Sequence, residues 1–381
     1  MFRLIALALA VPLLVSPVAA PQETEFSRLV ARLSEGPGFF QSDNLVSNET
    51  SYLHALDTFR AKKVRGGAYL GVGPEQSFSY IAEIEPEVAI LIDIRRDNLL
   101  LHLLLKAMFE TSRNRLEYLG LLYGRPMPDD LYLWTDLDLG ALLDYIDQTP
   151  PNLPRHRTTH QNLLDRIGSY GMTLSPEDLA TLQYFHDEFV NTGLDIRYST
   201  RGRGPRLSFP TNRQIYLETD LAGNPGSYLA TEDRWRRVRD LHLRNRIVPV
   251  MGDLSGPRAV RAIGDYLREI RQTVSVFYVS NVEQYLFRGG TFPAFVDNVR
   301  TLPIRDNSIM VRSWFGRGMM LSTSLPGHFS TQITQTIPRF LQMARQPESL
   351  DYWMLVNDAI LPVSLDSLLG GQVRIRQRPP G

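Results

Sequence analysis

The sequence predicts an α/β protein: a doubly wound, mostly parallel sheet with a large, mainly helical insertion between the second and third strands. Three observations lead to this prediction. A short apolar segment runs into a glycine turn and a helix, a second apolar segment ends in an acidic residue, and further apolar segments follow a long stretch punctuated by prolines. Strands that alternate with helices are typical of parallel sheets covered on both faces.

The first strand and its turn lie within residues 66–76. Residues 69–72 are short and apolar, as expected of a strand that is buried on both faces. Gly71 and Gly73 permit a sharp turn and leave room for a ligand to approach the backbone. The third glycine of dinucleotide-binding turns is replaced here by Gln76. We expect all three residues to contact a cofactor.

The second strand, over residues 88–93, ends in Asp93, twenty residues after Gly73. This spacing is usual for the carboxylate that binds a ribose diol in nucleotide-binding β-α-β units. Glu75 follows Pro74, the predicted first residue of the helix, so its carboxylate would repel a pyrophosphate bound there. A nucleoside carrying an ammonium group would tolerate Glu75, which favours S-adenosylmethionine over NAD or FAD. A plain α/β turn, in which Glu75 only matches the helix dipole, remains the alternative.

Composition limits the classes of partner and chemistry. The 381 residues suffice for one large α/β domain with an insertion, and a hydrophobic fraction of 43% is ordinary for a globular protein. The formal net charge is zero, so charge gives no support for binding to nucleic acid. The chain has no cysteine, which excludes disulfides, thiolate catalysis and cysteine-based zinc sites.

The N-terminal segment has the features of a secretory signal peptide. Arg3 supplies a positive charge, residues 4–15 form an uncharged apolar run, and residues 18–20 offer a small-residue cleavage site. Pro21 disfavours cleavage directly after Ala20, so the cut falls elsewhere or the segment persists as an anchor. We therefore expect export to the periplasm or the extracellular space, with no transmembrane segment in the mature chain.

We divide the chain into five parts. The signal peptide (1–20) is followed by N-terminal helices and the first half of the α/β domain (21–123), the helical insertion (124–213), the second half of the α/β domain (214–320), and a C-terminal helix with a tail (321–381). The insertion could act as a lid over the ligand. In the first half, residues 47–49 (Ser-Asn-Glu) are interpreted as helix caps, and residues 97–122 as one long helix.

The insertion contains helical segments near residues 137–146, 160–170 and 176–190, and a loop at residues 200–205. Two histidines, His156 and His160, are four residues apart, as metal ligands on a helix would be. No carboxylate motif accompanies them, so we interpret them as a surface pair and assign no metal.

In the second half, a third strand over residues 246–251 leads into Gly252 and Asp253, and a fourth strand over residues 273–279 leads into Ser280 and Asn281. Glu283 has the spacing of a capping box with Ser280, whereas Asn281 has no such local explanation. A fifth strand is predicted at residues 308–313 and a helix at residues 337–344.

The glycine turn and the three polar strand ends together resemble class I S-adenosylmethionine-dependent methyltransferases. The resemblance covers about residues 48–112 and 245–315. It implies that the glycine turn contacts the methionine part of the cofactor, that Asp93 binds its ribose and that Asp253 contacts its adenine. The fourth strand end, with Ser280 and Asn281, would face the substrate. The glycine turn and residues 280–286 are also similar to an uncharacterised bacterial protein family.

The resemblance leaves the substrate and the catalytic base open. Candidates for catalysis are Asn281 and Glu283, with Tyr285 as a further one, and candidates for substrate binding are Ser280 and Asp220. S-adenosylmethionine is a cytosolic metabolite, which conflicts with export. An exported, non-catalytic module that binds a small molecule on the same fold, and a dinucleotide-dependent oxidoreductase, therefore remain alternatives.

Overall fold

The computed structural model describes residues 22–42, 44–200, 206–316, 321 and 324–358. Within them lies a sheet of six strands: β1 (Ala68–Gly71), β2 (Val88–Asp93), β3 (Ile247–Met251), β4 (Val274–Ser280), β5 (Ile304–Trp314) and β6 (Thr331–Thr336). The strands are ordered β3-β2-β1-β4-β5-β6 across the sheet. The first five are parallel, and β6 is antiparallel to β5.

Fifteen helices accompany this sheet in the described part of the chain. They are α1 (Glu25–Leu33), α2 (Ala55–Ala61), α3 (Ser77–Ile84), α4 (Arg96–Thr111), α5 (Arg115–Tyr123), α6 (Leu139–Gln148), α7 (Leu153–Gly168), α8 (Pro176–Thr192), α9 (Asn212–Leu217), α10 (Glu232–Leu243), α11 (Ala259–Glu269), α12 (Val282–Gly289), α13 (Phe292–Arg300), α14 (Ile337–Met343) and α15 (Tyr352–Asn357). Short 3-10 turns add to them, including one at Tyr52–His54 that leads into α2.

The sheet forms the centre of the core because helices flank it. Every residue of β1 is buried, and β2, β3 and β4 are buried except at their last residues. Such strands need cover on both faces, which explains their continuous apolar sequences. The prediction of a mostly parallel α/β sheet is confirmed, and the first four strands lie within a residue or so of their predicted bounds.

The connection from β2 to β3 contains α4–α10 within the described residues. Helix α4 packs against both β2 and β3, and α5, α7, α8 and α10 pack on α4. The prediction of a single helix over residues 97–122 is wrong, because the helix is interrupted between α4 and α5. There Asn114 caps α5 by accepting the N–H of Glu117 at 2.9 Å, a local hydrogen bond that competes with a continuous helix.

Strand β6 was not predicted, since its sequence Thr-Gln-Ile-Thr-Gln-Thr has no apolar run. It pairs with β5 from Ile309↔Thr336 to Trp314↔Thr331 and brings polar side chains into the interior. Three predicted features, the signal peptide (1–20), most of the loop at residues 200–205 and the C-terminal tail, lie outside the described residues. Among the residues that the structure does describe, no helix has both the length and the apolar character to span a membrane.

Candidate functional site

A cavity of about 1160 Å³ lies at the carboxyl ends of the parallel strands. Gly73 follows β1, Asp93 ends β2, Asp253 follows β3, Ser280 ends β4 and Trp314 ends β5, and all five residues line it. Strands β2 and β4 lie on opposite sides of β1, so the chain reverses its direction across the sheet here. Open α/β sheets bind ligands in the crevice at such a switch point. The volume is above the usual upper range for small-molecule sites.

Aromatic side chains form much of the cavity lining. The aromatic lining residues are Phe39, Phe40, Tyr198, Phe209, Tyr278, Tyr285, Trp314, Phe315 and Phe329. Tyr285, one of the candidates for catalysis, contacts Phe40 edge to face, with ring centroids 5.2 Å apart. Walls of this composition suit a ligand with a flat ring system and a few polar groups.

The turn after β1 brings backbone to the cavity at Gly73, where φ is 87° and a side chain would be strained. Its carbonyl accepts hydrogen bonds from Asn98 Nδ2 (3.1 Å) and His102 Nε2 (3.0 Å). Gly71 does not line the cavity, and a Cβ there would lie 2.4 Å from the Tyr69 hydroxyl. Of the two predicted glycines, Gly73 is therefore the one that a ligand can approach, and Gly71 makes room for a tyrosine.

Glu75 was predicted to border the ligand, and this is wrong. Helix α3 begins at Ser77, not at Pro74, and the intervening turn directs Glu75 away from the cavity. Its buried carboxylate accepts hydrogen bonds from the hydroxyls of Tyr216 and Tyr228, both at 2.6 Å, and from Asn212 Nδ2 at 2.9 Å. Burial raises the pKa of Glu75, and these donors oppose that rise.

Asp93 lines the cavity, but its carboxylate is engaged by Arg95. The Arg95 backbone N–H (2.9 Å) and Nε (3.0 Å) donate to Oδ1, and Nη2 donates to Oδ2 at 2.9 Å. Arg95 is itself almost fully buried and also donates to the carbonyl of Ser42. Asp93 therefore holds an arginine in the cavity wall, whatever contact it makes with a ligand.

Replacing Asp93 by alanine should destabilise the fold as well as the site, because it leaves the buried Arg95 guanidinium without its carboxylate. We expect a loss of about 1–3 kcal/mol in the free energy of unfolding. Denaturant unfolding of Asp93→Ala beside Asp253→Ala measures this, since Asp253 lies at the next strand end without a buried arginine. Equal stability of the two variants would contradict the assigned role of Asp93.

Asp253 also lines the cavity, and it organises the turn before α11. Its Oδ1 accepts the N–H and the hydroxyl of Ser255, both at 2.8 Å. Its backbone N–H donates to Glu35 Oε1 at 2.8 Å. No described residue donates to Oδ2 of Asp253, which can therefore accept a hydrogen bond from a ligand.

At the end of β4, Ser280 and Asn281 both line the cavity. Ser280 has a φ of 50°, a left-handed conformation that is uncommon outside glycine. Its hydroxyl donates to Glu49 Oε1 at 2.5 Å and does not cap α12. Glu283 forms a fully buried ion pair with Arg312 instead. The capping box predicted from the spacing of Ser280 and Glu283 is thus not formed.

Two predicted site residues lie away from the cavity. Glu283, proposed for catalysis, binds Arg312 through its two carboxylate oxygens and does not line the cavity. Asp220, proposed for substrate binding, is buried beside Arg60 and accepts the N–H groups of Ala222 (3.0 Å) and Asn224 (2.8 Å). Both placements correct the sequence prediction, and both carboxylates serve the fold.

Glu49, interpreted from the sequence as part of a helix cap, lies at the cavity floor. It is 3% exposed and lines the cavity together with Gln76. Besides Ser280, its carboxylate accepts from the hydroxyl of Ser313, from Gln332 Nε2 at 2.7 Å and, more weakly, from Gln76 Nε2 at 3.4 Å. Every one of these donors is neutral. Within the described part of the chain, Glu49 forms no ion pair with a lysine, an arginine or a histidine.

Tyr278 on β4 completes this floor. Its hydroxyl accepts a hydrogen bond from Gln76 Nε2 at 2.5 Å. Burial raises the pKa of Tyr278 well above its usual value, and the adjacent Glu49 carboxylate raises it further. The Oε1 atoms of Gln76 and Gln332 are buried without a hydrogen-bond partner among the described residues. The floor therefore combines one carboxylate, a neutral tyrosine hydroxyl and two amide oxygens without a partner, and each of these groups is able to accept a hydrogen bond from a ligand.

The described residues include two groups of neighbouring histidines. His156 and His160 are buried, not on the surface as expected: His156 Nε2 lies 2.8 Å from Asp187 Oδ1, and His160 Nδ1 lies 3.0 Å from His186 Nδ1. In the described residues, a convergent set of three ligand atoms occurs elsewhere, at His54, Glu218 and His328. Burial lowers the pKa of His54 to about 4, and the hydrogen bond that His328 donates to Glu218 raises the pKa of His328.

The family described as Domain of unknown function (DUF7790) matches residues 45–125 and 203–361, more than half of the chain. The chain belongs to this family. The matched ranges of DUF7790 contain Glu49, Gly73 and the polar ends of β2, β3 and β4, while residues 126–202 fall between them. No curated protein matches the chain.

Proposed function

We propose that this member of the DUF7790 family binds a positively charged adenosine derivative, S-adenosylmethionine, in the cavity at the sheet edge and transfers its methyl group. The observation that carries the proposal is Glu49, a buried carboxylate at the cavity floor whose hydrogen-bond donors are all neutral. A buried carboxylate without a cation of its own favours a ligand that brings one. The ammonium and sulfonium groups of S-adenosylmethionine meet that requirement.

The same carboxylate disfavours a dinucleotide. Glu49 is next to Gln76, the residue before α3, where dinucleotide-binding folds place a pyrophosphate. Negative charge at that position repels phosphate, and Pro74 removes one N–H donor from the turn. Glu75, from which the sequence predicts a preference for S-adenosylmethionine over NAD, lies outside the cavity. Glu49 supplies a negative charge inside the cavity, so we keep that preference.

The remaining polar groups suit the rest of such a ligand, as the methyltransferase resemblance implies. Asp253 has a free Oδ2 near β3 for the adenine amino group, and the aromatic wall offers faces for the adenine ring. Arg95 donates to both carboxylate oxygens of Asp93, so Asp93 would accept hydrogen bonds from the ribose hydroxyls only through its remaining lone pairs. Strand order agrees with the order usual for nucleotide-binding α/β sheets, apart from the antiparallel β6.

Methyl transfer itself asks little of the protein. A lone pair of the acceptor attacks the methyl carbon, the carbon–sulfur bond breaks with its electrons remaining on sulfur, and S-adenosylhomocysteine leaves. The protein must align acceptor and methyl group and exclude water. Asn281 and Tyr285 line the cavity and are the residues we expect to position the acceptor, whereas Glu283 is committed to Arg312.

A panel of ligands tests the proposal by isothermal titration calorimetry on the purified full chain. S-adenosylmethionine and S-adenosylhomocysteine, which share the ammonium group, are expected to bind more tightly than adenosine and NAD. A higher affinity for S-adenosylmethionine than for S-adenosylhomocysteine would show that the sulfonium charge contributes to binding. Tighter binding of NAD than of S-adenosylmethionine would favour a dinucleotide-dependent oxidoreductase. If none of the four ligands binds, the proposal of a nucleoside-binding site is wrong.

A non-catalytic binding module is the second candidate. It is favoured by the positions of Glu283, expected to act in catalysis, and Asp220, expected to bind substrate, because both carboxylates lie outside the cavity. It also agrees with the predicted export, since a binding module needs no supply of a cytosolic cofactor. Incubation with methyl-labelled S-adenosylmethionine and a cell extract separates the candidates: label transfer indicates a methyltransferase, and bound but unconsumed ligand indicates the module.

A further inference from the structure

We propose a second site in this chain: His54, Glu218 and His328 bind a divalent first-row transition metal ion, of which Zn²⁺ is the best fit. Each residue offers one ligand atom, and the three atoms lie within 4.8 Å of one another. The inference is independent of the proposed methyl transfer, because it rests on residues other than Glu49 and its donors.

The spacing of the ligand atoms is close to that of a metal centre. Zinc lies about 2.0–2.2 Å from imidazole nitrogen and carboxylate oxygen, so two ligands of a tetrahedral site are roughly 3.3 Å apart. His328 Nε2 and Glu218 Oε1 are already 3.4 Å apart. The His54 and His328 rings are close as well, with centroids separated by 4.9 Å. His54 offers a nitrogen no more than 4.8 Å from the other two ligand atoms, so it would move closer by up to about 1.5 Å on binding an ion.

His54 is the least exposed of the three ligands. The residue is 6% exposed, whereas the side chains of His328 and Glu218 are 20% and 19% exposed. Its ring lies against the ring of His328 and forms no hydrogen bond with a described residue, so a ring nitrogen can bind a metal ion.

Two of the three ligands lie at the ends of helical elements, and the third lies in a loop that is bonded to one of them. His54 ends the 3-10 turn Tyr52–His54, and Glu218 is the residue after α9. The loop with His328 is attached to the first of these segments: Phe329 N–H donates to Thr50 Oγ1 at 3.2 Å, and the hydroxyls of Ser51 and Ser330 are 2.9 Å apart. These two hydrogen bonds keep the loop with His328 beside the segment with His54, and metal sites need such contacts to orient their ligands.

The donor set selects the kind of ion. Two imidazoles with one carboxylate suit zinc and its first-row neighbours, whereas Mg²⁺ and Ca²⁺ prefer all-oxygen sites. Three protein ligands leave a coordination position open, as in catalytic zinc sites. Because His328 lines the large cavity, an ion here would lie at the cavity wall, where an oxygen or nitrogen donor of a second substrate could reach it.

The test is metal binding by the full chain after treatment with a chelator. Titration with Zn²⁺ in a calorimeter, and with Co²⁺ monitored by its visible absorption, should give about one ion per chain and the spectrum of a site with nitrogen and oxygen ligands. Glu218→Gln, which keeps size and hydrogen bonding at a partly exposed position, and His54→Gln should each weaken Zn²⁺ binding by more than about tenfold. Mg²⁺ should not compete.

His160→Gln is the matched control, because His160 is also a buried histidine close to other histidines. It should bind Zn²⁺ as the unmodified chain does. Zn²⁺ should also raise the melting temperature of the unmodified chain and of His160→Gln but not that of Glu218→Gln, which reports on the site even if His54→Gln folds poorly. Equal Zn²⁺ affinity in the unmodified chain and in Glu218→Gln, or a weakened site in His160→Gln, would overturn the assignment.

Discussion

Replacing Glu49 by glutamine is expected to weaken the binding of S-adenosylmethionine by about ten- to a hundredfold, corresponding to the 1.5–3 kcal/mol typical of a hydrogen bond to a charged group. The substitution keeps the shape of the side chain and removes the negative charge from the cavity floor. Titration calorimetry measures the change directly. The same substitution should narrow the preference for S-adenosylmethionine over NAD, since it removes the charge that repels a pyrophosphate.

Glu75→Gln is the matched control for this experiment. Glu75 is as buried as Glu49 (both 3% exposed), and its donors are likewise neutral, but it lies in a cluster of tyrosines outside the cavity. In both variants an amide replaces a carboxylate that accepts hydrogen bonds from hydroxyl groups, so both substitutions can lower the free energy of unfolding. Only Glu49→Gln should change ligand affinity. Equal effects of the two variants on binding would show that the charge of Glu49 does not act on the ligand.

The largest effect on stability is expected from Glu283→Gln. The carboxylate and the Arg312 guanidinium are both fully buried, and Arg312 also contacts the Phe340 ring, 5.3 Å from its centroid. Removing one charge leaves the other buried and unpaired, which typically costs about 3–5 kcal/mol. Chemical unfolding measures the loss. Ligand affinity per folded molecule should stay unchanged, because Glu283 does not line the cavity.

The double variant Glu283→Leu with Arg312→Met separates charge from packing. Apolar side chains of similar size in place of a buried ion pair are often neutral or stabilising. We therefore expect the double variant to be more stable than Glu283→Gln. A double variant that is as unstable as the single one, or a single variant with unfolding unchanged, would contradict the role assigned to this pair.

The strands that the sequence predicts well are those whose fold depends on local composition. β1 to β4 are continuous apolar runs, and a run of that kind has few alternatives to a strand covered on both faces. β6 has the opposite character: its residues are mostly threonine and glutamine, and it is a strand because β5 offers an edge to pair with. Pairing of that kind is not encoded in the segment itself.

The candidate site divides in the same way. Gly73, Asp93, Asp253, Ser280 and Asn281 were predicted at strand ends, and all line the cavity, because the ends of parallel strands meet at one edge of the sheet. Their individual roles could not be predicted from the sequence. Asp93, for example, binds Arg95, two positions along the chain, and the sequence does not show that Arg95 is buried.

The errors have physical causes. Glu75 was misplaced because α3 begins three residues after Pro74, and the side-chain direction changes with every residue of a turn. Glu49 was overlooked because its donors Ser280, Ser313 and Gln332 are 231, 264 and 283 residues away in sequence. Its local hydrogen bonds involve the backbone and not the carboxylate: the N–H donates to Ser47 Oγ at 3.0 Å, and the carbonyl accepts from the Tyr52 N–H at 3.4 Å. The spacing of Ser280 and Glu283 fits a capping box, but the Ser280 side chain binds Glu49 and the Glu283 side chain binds Arg312, both distant in sequence.

The central claim is that Glu49 receives the positive charge of an adenosine derivative at the switch point of the sheet. A crystal structure of the full chain with S-adenosylmethionine tests it most directly. We expect the ligand in the cavity, with its ammonium or sulfonium group within about 4 Å of a Glu49 carboxylate oxygen, the range in which opposite charges stabilise each other. A ligand bound elsewhere, or bound in the cavity with its charged groups remote from Glu49, would contradict the claim.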